Sequence, residues 1–395
     1  MAAFSIVWIV NRLLMNPETK LPKVGTTIFS VMTALANECQ ALNLSQGFPD
    51  FDGPEALLEG VRYYVSHGYN QYAPMTGTPQ LREQIGRKVL DLYNCKLDIE
   101  AEITVTSGAT EALFCAMTAV IRPGDEVIVF DPAYDSYEPG ITLSGGVTRH
   151  IQMRAPDFHI DWEEVRDCIN DRTRMIILNT PHNPTGTTWN ASDIDALREV
   201  IKTREIYLLA DEVYEHIIFD GLRHESLCRH PDLFARSFVV SSFGKTYHTT
   251  GWKIGYCVAP AALTNELRKV HQFVTFTSHT PTQLAIADFL GQCPEHHKEL
   301  AGFYQQKRDL FVSQLAGSRF GIRPATGTYF QLLEYSQVFD EKDSDLAKRL
   351  TREAKIASIP VSVFCDAPFE HSYLRFCFAK DDTTLKKAAE ILCEL

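Results

Sequence analysis

The chain has 395 residues, 45% of them hydrophobic, with 22 Gly, 19 Pro and a formal net charge of −12. This is an ordinary globular composition, long for a single core, so two subdomains are expected. The acidic balance without a long Lys/Arg block excludes nucleic acid and anionic membrane as main partners, and leaves room for a small anionic ligand held by a few local cations. Ten cysteines are scattered with no C-x-x-C pair, so zinc-ribbon and thioredoxin chemistry have no support. Reduced thiols in a cytoplasmic protein, with no metal, are the expectation.

The opening "MAAFSIVWIVNRLL" has an apolar segment, Phe4 to Val10, too short to span a bilayer, with no basic leader before it. Residues 1–14 read as an extension upstream of a start at Met15. Residues 15–50 read as an arm that packs against a C-terminal domain. From about Ile103 to Pro260, short β-branched runs alternate with amphipathic stretches: "ITVT", "DEVIVF", "RMIILN", "IYLLA", "SFVVSS" and "GYCVA". Such runs indicate a parallel sheet covered on both faces. "GATEALFCAMTAVI", after Ser107, and "ASDIDALREVIKTRE", acidic early and basic late, read as covering helices. From about Asp288 the pattern becomes α+β, with a long helix in "EHHKELAGFYQQKRDLFVSQLAG", strands in "GTYFQLLEY" and "HSYLRFCFA", and a helix near Ser344 to Lys355. The predicted fold is α/β, with a large domain over 51–287 and a smaller α+β domain over 288–395.

In an open parallel sheet, ligands bind beyond the carboxyl ends of the strands. Five successive ends carry Ser107-Gly108-Ala109-Thr110, "DPAYDSY", "TPHNPTG", "DEVYEH" and "FGKTYH". A small-residue turn at a helix start suits a phosphate, although taken alone it is an ordinary Ser N-cap. Asp211 follows four apolar residues and needs a cationic partner or strong donors, as a structural ion pair also would. Lys245 is a candidate Schiff-base nucleophile, where most lysines are solvated side chains. Lys253 is a second cation for an anion cup. Together, an anion cup, an aspartate, a phenol, an amide and a lysine meet the needs of pyridoxal phosphate.

"SSFGKTYHTTGWKIGY" resembles the lysine motif of fold-type I, class I aminotransferases, and "NTPHNPTG", "ADEVYEH", "LSQGFPDFDGP", "NQYAPMTG" and "YLRFCFA" are similar to that family's other signatures. The similarity runs from about Leu21 to the end, and is nearest to the bacterial methionine aminotransferases, related to the kynurenine–glutamine transaminases. The resemblance implies a mostly parallel seven-stranded sheet. It implies catalytic roles for Lys245 (Schiff base), Asp211 (pyridine nitrogen) and Tyr214 (ring oxygen, with Asn183). Gly108, Ala109 and Thr110, with Ser242 and Lys253, would form the phosphate cup. Tyr134 would stack on the cofactor ring, and Arg375 and Gly47 would take the substrate α-carboxylate. Tyr72 would reach the phosphate of a neighbouring subunit, which implies a homodimer with shared sites.

Aspartate-type members use a second arginine for a side-chain carboxylate. "HQFVTFTSHTPTQ" has none, so a neutral or apolar amino acid is expected, methionine first and aromatic ones next, with Phe48, Phe273 and Phe276 lining its pocket. The "FTSH" stretch differs from the "VFH" of kynurenine-type relatives. The implied reaction moves an amino group from that amino acid to a 2-oxo acid. The same cofactor chemistry would also serve a carbon–sulfur β-lyase. Too few residues precede Leu21 for the DNA-binding module of regulators built on this fold, and no G-x-G-x-x-G follows a strand, as a nicotinamide enzyme would require.

Overall fold

The computed structural model describes residues 18–369 and 371–395; the expected extension over 1–14 and the Met15 start lie outside them. Helix Ile28–Cys39 starts on Thr27, whose hydroxyl accepts from the Ser30 N–H, and stops where Gln40 turns left-handed. Strand β1 (Leu42–Asn43) and helices Glu55–Ser66 and Pro79–Tyr93 follow. The central sheet comprises β2 (Ile103–Thr106), β3 (Glu126–Asp131), β4 (Val147–Gln152), β5 (Thr173–Asn179), β6 (Tyr207–Asp211), β7 (Ser237–Ser242) and β8 (Gly255–Val258). Their spatial order is β2-β8-β7-β6-β5-β3-β4. All neighbours are parallel except β8, which runs antiparallel to both β2 and β7.

The six apolar runs are six of these seven strands. The seventh, β4, is an edge strand, "VTRHIQ", with only Ile151 buried, so it carries no apolar run. Within the sheet, successive side chains leave on opposite faces. Ile176 and Leu178 join a core with helices Pro79–Tyr93, Ala191–Ile201 and Thr280–Gln292, whereas Met175 and Ile177 join a core with Gly108–Val120 and Ala261–Val274. Helix Ala191–Ile201 starts on an Asn190–Asp193 capping box. It ends four residues before the predicted stretch does, in a turn closed by the Arg204 N–H on the Ile201 carbonyl that leads into β6.

The second packing unit holds β9 (Gly321–Ile322), β10 (Phe330–Glu334), β12 (Ile359–Pro360) and β13 (Tyr373–Cys377) in the order β12-β13-β10-β9, while β11 (Ile356–Ala357) pairs in parallel with β1. Met32 and Leu35 of the first helix share its core with Phe311, Leu346, Phe376 and Leu385. The 287/288 division falls inside helix Thr280–Gln292, which packs on helices of the first unit. All ten cysteines are free thiols. Among the described residues, no helix is long and apolar enough to cross a membrane.

Candidate active site

The strand ends converge because the register aligns them. Asn179 lies beside Asp211, and Asp211 beside Val240 of the next strand. Strand β8 runs the other way, so its start, not its end, faces the same edge, which brings Lys253 to it. A cavity of about 260 Å³ opens there. It is lined from the sheet side by Gly108, Ala109, Thr110, Tyr134, Asn183, Asp211, Tyr214, Ser242, Lys245 and Lys253, and from the other unit by Gly47, Phe330 and Arg375.

The cup is built of backbone. Ser107 precedes helix Gly108–Val120 but makes no capping bond, so the ordinary N-cap reading fails. The first N–H groups of a helix have no partner within it. Gly108 has φ +75°, and a Cβ there would stand 3.1 Å from Lys253 Cε and 3.2 Å from its Nζ. A side chain on Gly255 would meet Ala109 N, Gly108 C and Ser241 O at 2.8 Å, so this glycine lets β8 lie against the cup. Free N–H groups, a helix N-terminus and a cation within a few ångströms of Gly108 suit a phosphate dianion.

Asp211 ends β6 and is buried. Its Oδ2 accepts from the Tyr137 hydroxyl at 2.6 Å, and its Oδ1 from the Val213 N–H at 3.4 Å. Burial pushes its pKa up to about 6, with the Tyr137 hydrogen bond opposing the rise. Asn179 ties the neighbouring ends together: its Nδ2 donates to the Asp211 carbonyl and its Oδ1 accepts from the Asn183 N–H, both at 2.9 Å.

Lys245 follows β7 on a single helical turn, Phe243–Thr246. Its Nζ lies 5.6 Å from the Tyr214 ring centre. Burial lowers its pKa to about 8. Tyr214 is buried, and burial raises its phenol well above the usual range; Tyr134 is pushed up to about 12 by the same cause. Arg375 sits on the central strand β13 with 1% of its surface exposed. Its guanidinium donates to Asn183 Oδ1 at 2.7 Å and to the Ser45 carbonyl at 3.0 Å, while Nε has no partner among the described residues. A buried cation with an unmatched donor, beside a cavity, fits an incoming carboxylate.

Three groups of the sequence reading lie outside this cavity. Tyr72 is 84% exposed, edge-on to Phe276 at 5.6 Å. Phe273 is also 84% exposed. Phe48 turns outward under the Lys380 amine, 5.0 Å from its ring centre. None of these aromatics lines the pocket within one chain. In the other direction, the sequence reading passed over Tyr137, Asn179, Phe29, Gln46 and Tyr329. Tyr137 lies three residues beyond Tyr134 in "DPAYDSY", across a turn closed by its N–H on the Tyr134 carbonyl, and that short spacing was the available signal.

A family model for class I and II aminotransferases matches residues 40–392. The chain is 54% identical to the methionine aminotransferase of Escherichia coli, over 96% of this chain and 98% of that relative. It is 31% identical to the kynurenine–oxoglutarate transaminase of Dictyostelium discoideum, over 96% of each. An E. coli crystal structure reported with a methionine aminotransferase function superposes with a TM-score of 0.95 at 53% identity, covering 96% of this chain and all of that one. The N-succinyldiaminopimelate aminotransferase of Mycobacterium tuberculosis follows the same fold with a TM-score of 0.93 at 33% identity, again over 96% and 100%. These relatives are transaminases, which favours amino-group transfer over carbon–sulfur β-elimination. The chain belongs to the class I and II aminotransferase family, and is a pyridoxal-phosphate-dependent aminotransferase of fold type I.

Proposed function

We propose that this enzyme takes the amino group of a neutral, apolar L-amino acid, methionine foremost, and passes it to a 2-oxo acid. The observation that carries the substrate class is that Arg375 is the one arginine lining the cavity among the described residues. A dicarboxylic substrate would bring a second carboxylate with no guanidinium to meet it, whereas Phe29, Leu113 and Phe330 offer apolar walls. The high identity to a methionine aminotransferase supports the choice within that class.

Bound pyridoxal phosphate supplies a ring that withdraws electrons from the substrate α-carbon. The chain's residues do the rest. The N–H groups of Gly108, Ala109 and Thr110, with Ser242 and Lys253, would hold the phosphate, Tyr134 would cover the ring, and Tyr214 and Asn183 would donate to its oxygen. Asp211, oriented by Tyr137, would hold the pyridine nitrogen protonated. Arg375 and the Gly47 N–H orient the α-carboxylate, so that the α-hydrogen faces Lys245. The Lys245 amine, neutral above about pH 8, takes that proton and returns it; such positioned proton transfer contributes on the order of 10²–10⁴-fold.

The exposed aromatics Tyr63, Tyr69, Tyr72 and Phe273 support burial of this face in a homodimer, with Tyr72 reaching the partner's phosphate. A cytoplasmic location is in keeping with ten free thiols. The test is a visible spectrum of the purified protein: methionine should bleach its yellow absorbance and a 2-oxo acid should restore it. An unchanged spectrum would remove methionine as substrate. Release of pyruvate and ammonia from S-alkyl cysteine at a comparable rate would favour β-elimination instead.

A further inference from the structure

The Lys245 amine rests in a socket formed by two oxygens. Its Nζ donates to the Tyr329 hydroxyl oxygen at 2.9 Å and to the Gly47 carbonyl at 3.2 Å. Tyr329 donates its own proton to the same carbonyl at 2.5 Å. The phenol is fully buried and wedged edge-on between Tyr214 at 5.1 Å and Phe330 at 5.0 Å. Burial holds its pKa far above the usual value, so it stays a neutral hydroxyl. The residue before it, Thr328, has φ 64° and is fully buried. A β-branched residue in the left-handed region is strained, and such strain persists where the surroundings over-determine a geometry.

A tetrahedral amine has four directions. Cε occupies one, and the two oxygens take two N–H bonds. One direction remains: a lone pair on the neutral amine, or the transferable proton on the ammonium. Once joined to the cofactor aldehyde, the nitrogen keeps at most one hydrogen and cannot serve both oxygens. The socket therefore fits the freed amine alone.

We propose that Tyr329 is a positioning residue for proton transfer, which together with the Gly47 carbonyl turns the uncommitted direction of the freed Lys245 amine toward the substrate α-carbon. This rests on the reading of Lys245 as the proton carrier. In the step, the α C–H bond breaks, its proton passes to the Nζ lone pair, and its electron pair stays on the substrate carbon in conjugation with the cofactor ring.

Tyr329→Phe keeps the ring and removes one acceptor. In the holoenzyme, with α-deuterated and α-protiated methionine, single-turnover proton removal should slow by about 10- to 100-fold, since small misplacement of a reacting group has effects of that size. KM and cofactor content should hold, and the deuterium isotope effect should grow. In the cofactor-free protein, the pH dependence of the reaction with pyridoxal phosphate reports the Lys245 amine. An oxygen acceptor favours the ammonium over the amine, so its loss should lower the midpoint by about half to one pH unit. Thr328→Gly, which releases the strained φ and loosens the aim of Tyr329, should give a smaller loss of the same kind.

Wild-type rates and an unshifted midpoint in Tyr329→Phe would overturn the proposal. So would a loss of rate that only follows loss of bound cofactor, since that marks a structural role. A Lys245→Ala variant that still removes the α-proton would sink the reading of Lys245 itself. An inert Lys245→Ala beside an unimpaired Tyr329→Phe would sink the socket alone.

Discussion

Arg375→Lys separates the positive charge at the carboxylate site from its shape. The guanidinium is buried on β13, 3.9 Å from the Phe330 ring centre. It makes no ion pair among the described residues, and burial pulls its pKa down to about 10. A guanidinium has five N–H bonds. Two contacts are committed, to Asn183 Oδ1 and the Ser45 carbonyl, and Nε is unmatched among the described residues. A lysine ammonium has three N–H bonds. Once Asn183 and Ser45 are satisfied, one remains for the substrate. The substitution therefore costs at least one charge-assisted hydrogen bond, about 1.5–3 kcal/mol, or roughly a 10- to 150-fold rise in KM. Amino acid and 2-oxo acid both present an α-carboxylate, so both KM values should rise by similar factors in steady-state assays, while the cofactor absorbance stays as in the wild type. An unchanged KM for either substrate would show that another group holds the carboxylate, and loss of cofactor absorbance would show that Arg375 supports the cofactor site instead.

Tyr137→Phe removes the 2.6 Å donor to Asp211 and should raise that carboxyl further above its ordinary value. A protonated Asp211 cannot pair with a pyridinium. Without cofactor its carboxyl titrates near 6 in the wild type, so cofactor affinity should fall as pH drops and should begin to fall at higher pH in the variant; dissociation constants measured across about pH 5 to 8 report the shift. Lys88→Met leaves Glu215, buried with it at 2.6 Å, without its cation. It should lower unfolding free energy by about 3–5 kcal/mol, read from the denaturant midpoint, with partial recovery on adding Glu215→Gln. Gly108→Ala forces φ +75° on a side chain that meets Lys253. The conformation alone costs about 1–2 kcal/mol. Titration should show weaker binding of pyridoxal phosphate and little change for pyridoxal, which lacks the phosphate.

The sheet and its ligand-facing edge were legible because buried parallel strands leave long apolar runs, and a polar residue just after such a run stands out. Asp211 after "IYLLA" and Lys245 after "SFVVSS" are of this kind. β4 escaped because an edge strand buries little, and "VTRHIQ" alternates too weakly to register. Tyr137 and Tyr329 were hidden for other reasons. Tyr329 sits in an apolar run, where a tyrosine reads as core, and Tyr137 follows polar residues in a turn, so neither shows its role until its hydroxyl is seen to meet Lys245 or Asp211. Phe273 and Phe276, from the segment that lacks a second arginine, were expected at the substrate pocket together with Phe48; within one chain they lie outside the cavity, and Phe273 is 84% exposed, because which surface an aromatic faces depends on tertiary placement. The 287/288 division falls within helix Thr280–Gln292, which carries apolar residues on several sides, so its pattern alone does not show which unit it covers.

The most direct measurement is borohydride reduction of the holoenzyme followed by peptide mapping. The reading of this site requires one reduced pyridoxyl adduct per chain, on the peptide that carries Lys245. An adduct on another lysine, or none on a protein that retains its cofactor, would contradict it.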